Sequence, residues 1–381
     1  MENTYNDLAI ILAWPDATIR GDEGWMMFFR KLGLVKNLNF KVGHTGVILI
    51  DTHTSALLYY DFGRYISPRG LGRARSPFSD PRLHMRTKAK VLDRDTGEIG
   101  NLEEIVRELD GMQEATQGEG RLFFSVAAGL NFLKARQYAD NLVLNGSTPY
   151  GAFARGNNNC SRFITRLLMR ASKKYHRWHG VNLPESIKSS PISNVVNVRK
   201  DRRIFVYNPD SGLRTVRMNR FNSLFFMLRQ LRDNFDSKLA KALPDDLVVG
   251  SVLQKKKPSQ VPDQAQWLGG VGEGAWYHIQ PMDQSELSGG SGQHEAGFEV
   301  SRYTEKGELE YSLPFYSEEK FDLEKPFHIA YDSHMIFTTV WQQNKSIRLY
   351  SSFYRASKPI GIIDFKPASQ SVESFGLAIK D

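Results

Sequence analysis

At 381 residues, with 41% hydrophobic and 24% charged residues, the chain is too apolar for disorder and too long for one ordinary core, so two or three domains are expected. A single cysteine excludes an intramolecular disulfide framework and fits a reducing compartment, and no run approaches the roughly 18–20 apolar residues of a membrane span. The formal charge of +8 is uneven: residues 161–242 hold 18 Lys/Arg against 5 Asp/Glu, and residues 64–90 hold 8 against 1, so an anionic partner competes with a solvated basic face as the explanation.

The opening "MENTYNDLAIILAWPD" places acidic residues before a short apolar run, without a basic stretch or a small-residue cleavage site. It predicts a first strand, not a signal peptide, and hence a cytoplasmic protein. "DEGWMMFFRKLGL" follows with apolar residues at helical spacing (Trp25, Met26, Phe28, Phe29, Leu32). "GHTGVILI" (43–50) and "SALLYYDF" (55–62), separated by "DTHT", predict an antiparallel hairpin. Residues 63–90, rich in Gly, Pro, Arg and Ser, predict a long loop, and helices are expected near 101–110 and 123–144.

Beyond Gly180 the texture changes. "NLPESIKSSPISNVV" predicts a connector, "RRIFVYNPDSGLRTVRM" a hairpin, and "NSLFFMLRQLRDNFDSKLAKAL" an amphipathic helix. Together they form a basic extension over 181–245. "KKKPSQVPDQ" marks a linker within 246–266. From 267 to 381 strand-like segments such as "GAWYHIQ", "GFEVSRY", "MIFTTVW" and "IGIIDF" recur between turn signals, which predicts a small antiparallel sandwich or barrel. The fold class is therefore α+β, followed by a β-rich domain.

Two places carry chemistry. With the hairpin turn on Asp51–Thr54, His44 would face Asp61, about 4.5–5.5 Å away at Cβ and on the same face. An imidazole and a carboxylate so placed suit a catalytic histidine, and equally suit a strand-end histidine beside a loop-edge acid. A one-residue slip would substitute Tyr60 or Phe62. The second place is "GNNNCSRFITRLL". Asn157, Asn158 and Asn159 are all good N-cap residues, and Phe163, Ile164, Leu167, Leu168 and Ala171 form one apolar stripe on a helix expected to end near Gly180. Cys160 then opens a helix, where free N–H groups lower a thiol pKa and can bind an oxyanion. A small buried core cysteine remains the competing reading.

The stretches "GHTGVILI", "ALLYYDFGRY" and "PYGAFARGNNNCSRFITRLL" together resemble the circularly permuted papain-like superfamily, which includes NlpC-like permuted cysteine peptidases and amidases and lecithin retinol acyltransferase relatives. In that superfamily the histidine strand precedes the cysteine helix. The likeness covers about residues 7–180, within an expected first domain of 1–245. It implies Cys160 as nucleophile, His44 as general base and Asp61 as the third polar group; Tyr150 and Asn159 near the cysteine, and Arg64 and Arg69 in a basic loop that is otherwise read as solvated, are substrate-binding candidates. Many bacterial relatives continue Cys-Ser-Glu, whereas Arg162 stands here, so neither that glutamate nor its role carries over.

The implied function is a cysteine hydrolase of the amidase or peptidase type, acting on an amide, ester or thioester through an acyl-enzyme. An acyltransferase of the same fold and an inactive module that binds an acidic partner are the alternatives. The arginines of 64–90 would suit an anionic part of the substrate. No cofactor or metal is expected: "HRWH" (176–179) lacks a third ligand, and "GGVGEG" (269–274) lacks a strand–turn–helix context. Nucleic-acid binding through 161–242 lacks any accompanying motif.

Overall fold

The computed structural model describes residues 4–20, 28–29, 31–34, 39–68, 70–151, 158–173, 189–199, 201–235, 238, 254–270, 273–282 and 296–352. The first part is built on a mixed α+β core. Its strands are β1 (Asp7–Trp14), β4 (His44–Ile50), β5 (Leu57–Gly63), β6 (Leu71–Arg75), β9 (Leu122–Leu130), β10 (Thr148–Pro149), β11 (Arg203–Asn208) and β12 (Gly212–Arg217). They form one eight-stranded antiparallel sheet in the order β10-β6-β5-β4-β1-β9-β11-β12. Two short ribbons, β2 (Thr18–Arg20) with β3 (Asn39–Lys41) and β7 (Val91–Asp93) with β8 (Glu98–Ile99), lie outside it.

Both faces of this sheet are covered, and β1 shows why its sequence is apolar throughout. Ala9, Ile11 and Ala13 enter a core shared with α3 (Phe132–Leu144), α4 (Cys160–Ala171) and α5 (Pro191–Asn197). Leu8, Ile10, Leu12 and Trp14 alternate into a second core, with α1 (Leu102–Gly111) over the other face. A short α2 (Gln113–Thr116) follows α1, and α6 (Arg220–Phe235) follows the β11–β12 hairpin. Each fully buried Leu, Ile or Phe here contributes about 1.5–3 kcal/mol.

Several sequence expectations are corrected. Residues 122–130 form a strand, with the helix starting only at Phe132, where the Asn131 side chain accepts from Lys134 N–H. The run "LFFSVAAGL" is buried on most of its length between two neighbouring strands, and a continuously apolar segment does not reveal its period. The expected loop 63–90 contains β6. The expected connector holds α5, started by a Ser190–Ser193 capping box with Pro191 in the first turn. The β4–β5 turn spans Asp51 to Ala56, closed by Asp51 N–H to the Ala56 carbonyl at 3.1 Å. Gly46 consequently pairs with Asp61, and His44 lies two residues beyond. A shift of two keeps both side chains on the predicted face.

The second part is one curled antiparallel sheet, not a sandwich: β13 (Gln266–Gly269), β14 (Gly274–Pro281), β15 (Ala296–Thr304), β16 (Leu309–Ser317), β19 (Lys345–Ser351), β18 (Phe337–Gln342) and β17 (His328–Ile329). Its two edges meet through Gln266, whose amide donates to the Phe327 carbonyl at 3.0 Å and accepts from Ile329 N–H at 2.9 Å. The result is a nearly closed barrel around Tyr277, Val300, Phe315, Val340 and Leu349. "IGIIDF" and most of "DEGWMMFFRKLGL" lie outside the described residues, as does the expected helix end near Gly180.

The two parts interlock. Ile66 enters the barrel core, while Ile336 and Phe337 from the barrel enter the helix-covered core of the first sheet. Arg73 donates to the carbonyls of Tyr331 (3.2 Å) and Ser333 (3.0 Å). Gly270 is pressed against the Tyr65–Ser67 backbone, and a Cβ there would stand 2.0 Å from the Tyr65 carbonyl oxygen and 2.7 Å from Ile66 Cα. Because these are main-chain atoms, Gly270→Ala must displace one part from the other. Urea denaturation is expected to show a loss of about 1–3 kcal/mol; an unchanged midpoint would mean that this contact yields freely.

Candidate active site

His44 begins β4, Asp61 lies near the end of β5, and Cys160 is the first residue of α4. All three are buried, with 6%, 0% and 7% of their surface exposed. His44 Nε2 approaches Asp61 Oδ2 at 3.4 Å and the Tyr65 hydroxyl at 3.2 Å. Tyr65 O–H donates to the same carboxylate oxygen, and Tyr59 O–H does so at 3.1 Å. Tyr59 can reach over β4 because Gly46 is there: a Cβ at that position would lie 2.8 Å from its hydroxyl. Directly opposite Asp61 on β6 stands Arg75, whose guanidinium donates to Oδ1 at 3.2 Å and Oδ2 at 2.8 Å and covers the Tyr65 ring at 3.2 Å.

These partners settle the charges. Burial alone would push the Asp61 carboxyl up, but Arg75 and then His44 hold it down at about 2. Burial likewise opposes a charged His44, yet its hydrogen bonds to Asp61 and Cys160 raise it to about 9. Burial pushes the Cys160 thiol up, and hydrogen bonding and charge from His44, with donation from the Ser161 hydroxyl and N–H, outweigh it and lower the pKa. His44 thus bonds both the Asp61 carboxylate, through Nε2, and the Cys160 sulfur. Sulfur, imidazole and carboxylate therefore stand in series.

The helix start contributes too. Among the three candidate caps it is Asn159 that serves, its Oδ1 accepting from Arg162 N–H at 2.8 Å and its amide donating to the Gly151 carbonyl at 3.3 Å. Both ends of this side chain are thus used within the fold. The first intrahelical bond runs from Phe163 N–H to the Asn159 carbonyl, so the Cys160 and Ser161 N–H groups precede it at the positive end of the helix. Arg162 is buried.

Tyr150 stacks on Phe62 at 6.0 Å and lies under the Arg64 guanidinium at 4.5 Å. Burial raises its phenol, and the nearby, hydrogen-bonded sulfur of Cys160 raises it further. His44, Arg64 and Tyr150 line a cleft of about 740 Å³ together with barrel residues, among them Glu273, Arg302, Glu308 and Glu310. Arg69 lies outside the described residues. Of the other arginines of 64–90, Arg86 is exposed and three are engaged within the fold: Arg73 clamps the barrel, Arg75 holds Asp61, and Arg82 pairs with Asp80 at 2.6 Å. These three are structural, not a free anion-binding surface.

Sequence reasoning missed Tyr59, Tyr65 and Arg75. Tyr59 carried a signal, since it lies two residues before Asp61 and shares its face. Arg75 carried none while 63–90 was read as loop. Among the described residues no group of three His, Cys, Asp or Glu side chains is placed to hold a metal ion, and no helix is long and apolar enough to cross a membrane.

Fold and site together define a two-domain α+β protein in which a histidine, bonded to a buried carboxylate and a buried thiol, lines an interdomain cleft. Residues 9–177, less than half of the chain, match the family described as "Type VI secretion system effector TseH-like", and residues 265–352 match the "DUF6695 C-terminal domain" family. A crystal structure of the type VI secretion system effector TseH is similar at 18% identity and a TM-score of 0.35, covering 56% of this chain and 99% of that one, a likeness too distant to argue from. No curated protein matches the chain.

Proposed function

We propose that this protein is a cysteine hydrolase acting on an amide, ester or thioester, and that it serves as an effector exported by a type VI secretion system. The observation that carries the chemistry is the buried series Cys160–His44–Asp61, whose imidazole lines the cleft. The match of residues 9–177 to a TseH-like effector family supports the delivery. On this reading the cytoplasm expected from the sequence is the place of synthesis, and the substrate is met after export. The permuted papain-like arrangement, histidine strand before cysteine helix, is part of the same proposal.

In the reaction the Cys160 thiolate attacks the carbonyl carbon and forms a C–S bond, while the oxyanion accepts from the Cys160 N–H at the helix start. His44, protonated in the ion pair, gives its proton to the departing amine or alkoxide. A water molecule, deprotonated by His44, then attacks the thioester and releases the acid and the thiolate. Asp61 keeps the imidazole oriented throughout. The test uses p-nitrophenyl acetate: a burst of nitrophenolate stoichiometric with protein and an acetyl adduct on Cys160 by mass spectrometry are expected, both lost in Cys160→Ala. An adduct elsewhere, or no burst, would sink the hydrolase reading.

A further inference from the structure

The cleft wall supplied by the barrel is joined to the site by more than proximity. Behind Asp61, the Arg75 guanidinium reaches Asp80 at 3.2 Å and the Ala115 carbonyl at 2.7 Å. Asp80 is also gripped by Arg82, with contacts of 2.9 and 2.6 Å. Arg82 then crosses to the barrel, meeting Glu273 at 3.3 Å and Glu310 at 3.2 Å. Arg302 on β15 holds the same two glutamates, at 3.8 and 2.6 Å. Charges alternate without a break from Asp61 to Arg302, and Arg75, Asp80 and Arg302 are almost wholly buried. Burial makes a missing partner costly, so displacing one link is passed on to the next.

We propose that the C-terminal barrel positions the site's carboxylate: Glu273 and Glu310 fix Arg82, Arg82 fixes Asp80, and Asp80 fixes the Arg75 guanidinium that sets Asp61 behind His44. This gives the barrel a role in the chemistry besides walling the cleft. Glu273, Glu310, Arg82, Asp80 and Arg75 are positioning residues in this scheme, since they act through Asp61. The proposal rests on the Cys160–His44–Asp61 reading above.

The sign of one measurement separates positioning from simple electrostatics. Removing two carboxylates from the barrel makes the surroundings of Cys160 more positive, and field alone would favour the thiolate and move its titration to lower pH. Loosening Asp61 has the opposite effect, because a less well supported imidazolium stabilises the thiolate less. The experiment follows iodoacetamide alkylation of Cys160 against pH in the full-length protein, in His44→Ala and in Glu273→Gln/Glu310→Gln.

The acid limb of the double variant is expected to move up by about half to one pH unit, a 3- to 10-fold slower reaction on that limb. An unmoved or lowered limb in a cooperatively melting double variant overturns the proposal. If the double variant does not fold, Glu310→Asp decides: it keeps the charge and only shortens the reach, so an upward shift supports positioning and an unmoved profile refutes it. The underlying reading fails separately, and takes the proposal with it, if His44→Ala leaves the wild-type profile unchanged.

Discussion

Replacing His44 with alanine slows alkylation of Cys160 at pH 6 by about two orders of magnitude. Without the imidazolium, burial pushes the thiol up against only the weaker donation from Ser161, and a thiol at or above about 8.5 is less than about 1% ionised at that pH. In the wild type His44 is raised to about 9, so the ion pair persists across neutral pH. A second step in the wild-type rate is therefore expected near pH 9, when His44 loses its proton, and the alanine variant should lack it. The linkage has a definite sign. A histidine raised in the folded state adds stability that is complete below its unfolded value of about 6.5 and is lost as pH climbs through about 9. Rate profiles with iodoacetamide, paired with urea midpoints at pH 6 and pH 10, check both statements. Equal alkylation rates in the two proteins at pH 6 would defeat the ion pair.

Replacing Arg75 with methionine costs about 3–5 kcal/mol at neutral pH, the range for removing one member of a buried pair. The guanidinium is 2% exposed and serves Asp61, Asp80 and the Ala115 carbonyl together, so all three lose a donor at once. The deficit depends on pH in a predictable direction. With Arg75 present, Asp61 is held at about 2, so it stabilises the fold above its unfolded value of about 4 and ceases to do so as pH falls toward 2. Without Arg75, burial drives its pKa upward and the ionised form is penalised instead. The variant should therefore be weakest relative to wild type near pH 7, with the gap narrowing toward pH 4. Urea melts at pH 4, 5.5 and 7 measure this, and a gap that widens on acidification would contradict the pairing.

What the residues revealed in advance, and what they hid, follows from range. Cys160 at a helix start was legible because N-cap chemistry and an apolar stripe are local signals. The shared face of His44 and Asp61 was legible because strand period is two, even though the turn was misjudged by two residues. Arg75 was hidden by composition: Gly, Pro, Ser and Arg around it signal loop, and only pairing with β5 turns "LGRAR" into a strand. The strand at 122–130 was hidden because burial by neighbouring strands erases the alternation that would distinguish it from a helix. The ladder from Asp80 to Glu273 and Glu310 joins residues about two hundred positions apart or more, which no local pattern encodes.

The way each sheet ends bears on how the protein behaves at high concentration. An exposed strand edge is a template for a neighbouring chain. In the barrel, Gln266 draws β13 and β17 together, so each edge shields the other without a full ladder between them. At one rim of the larger sheet, β10 is two residues long and ends in Pro149, which has no N–H to offer. Both devices deprive a second molecule of a strand to extend at these edges, which leaves the six-residue β12 at the other rim of the larger sheet as the place where a copy could add a strand.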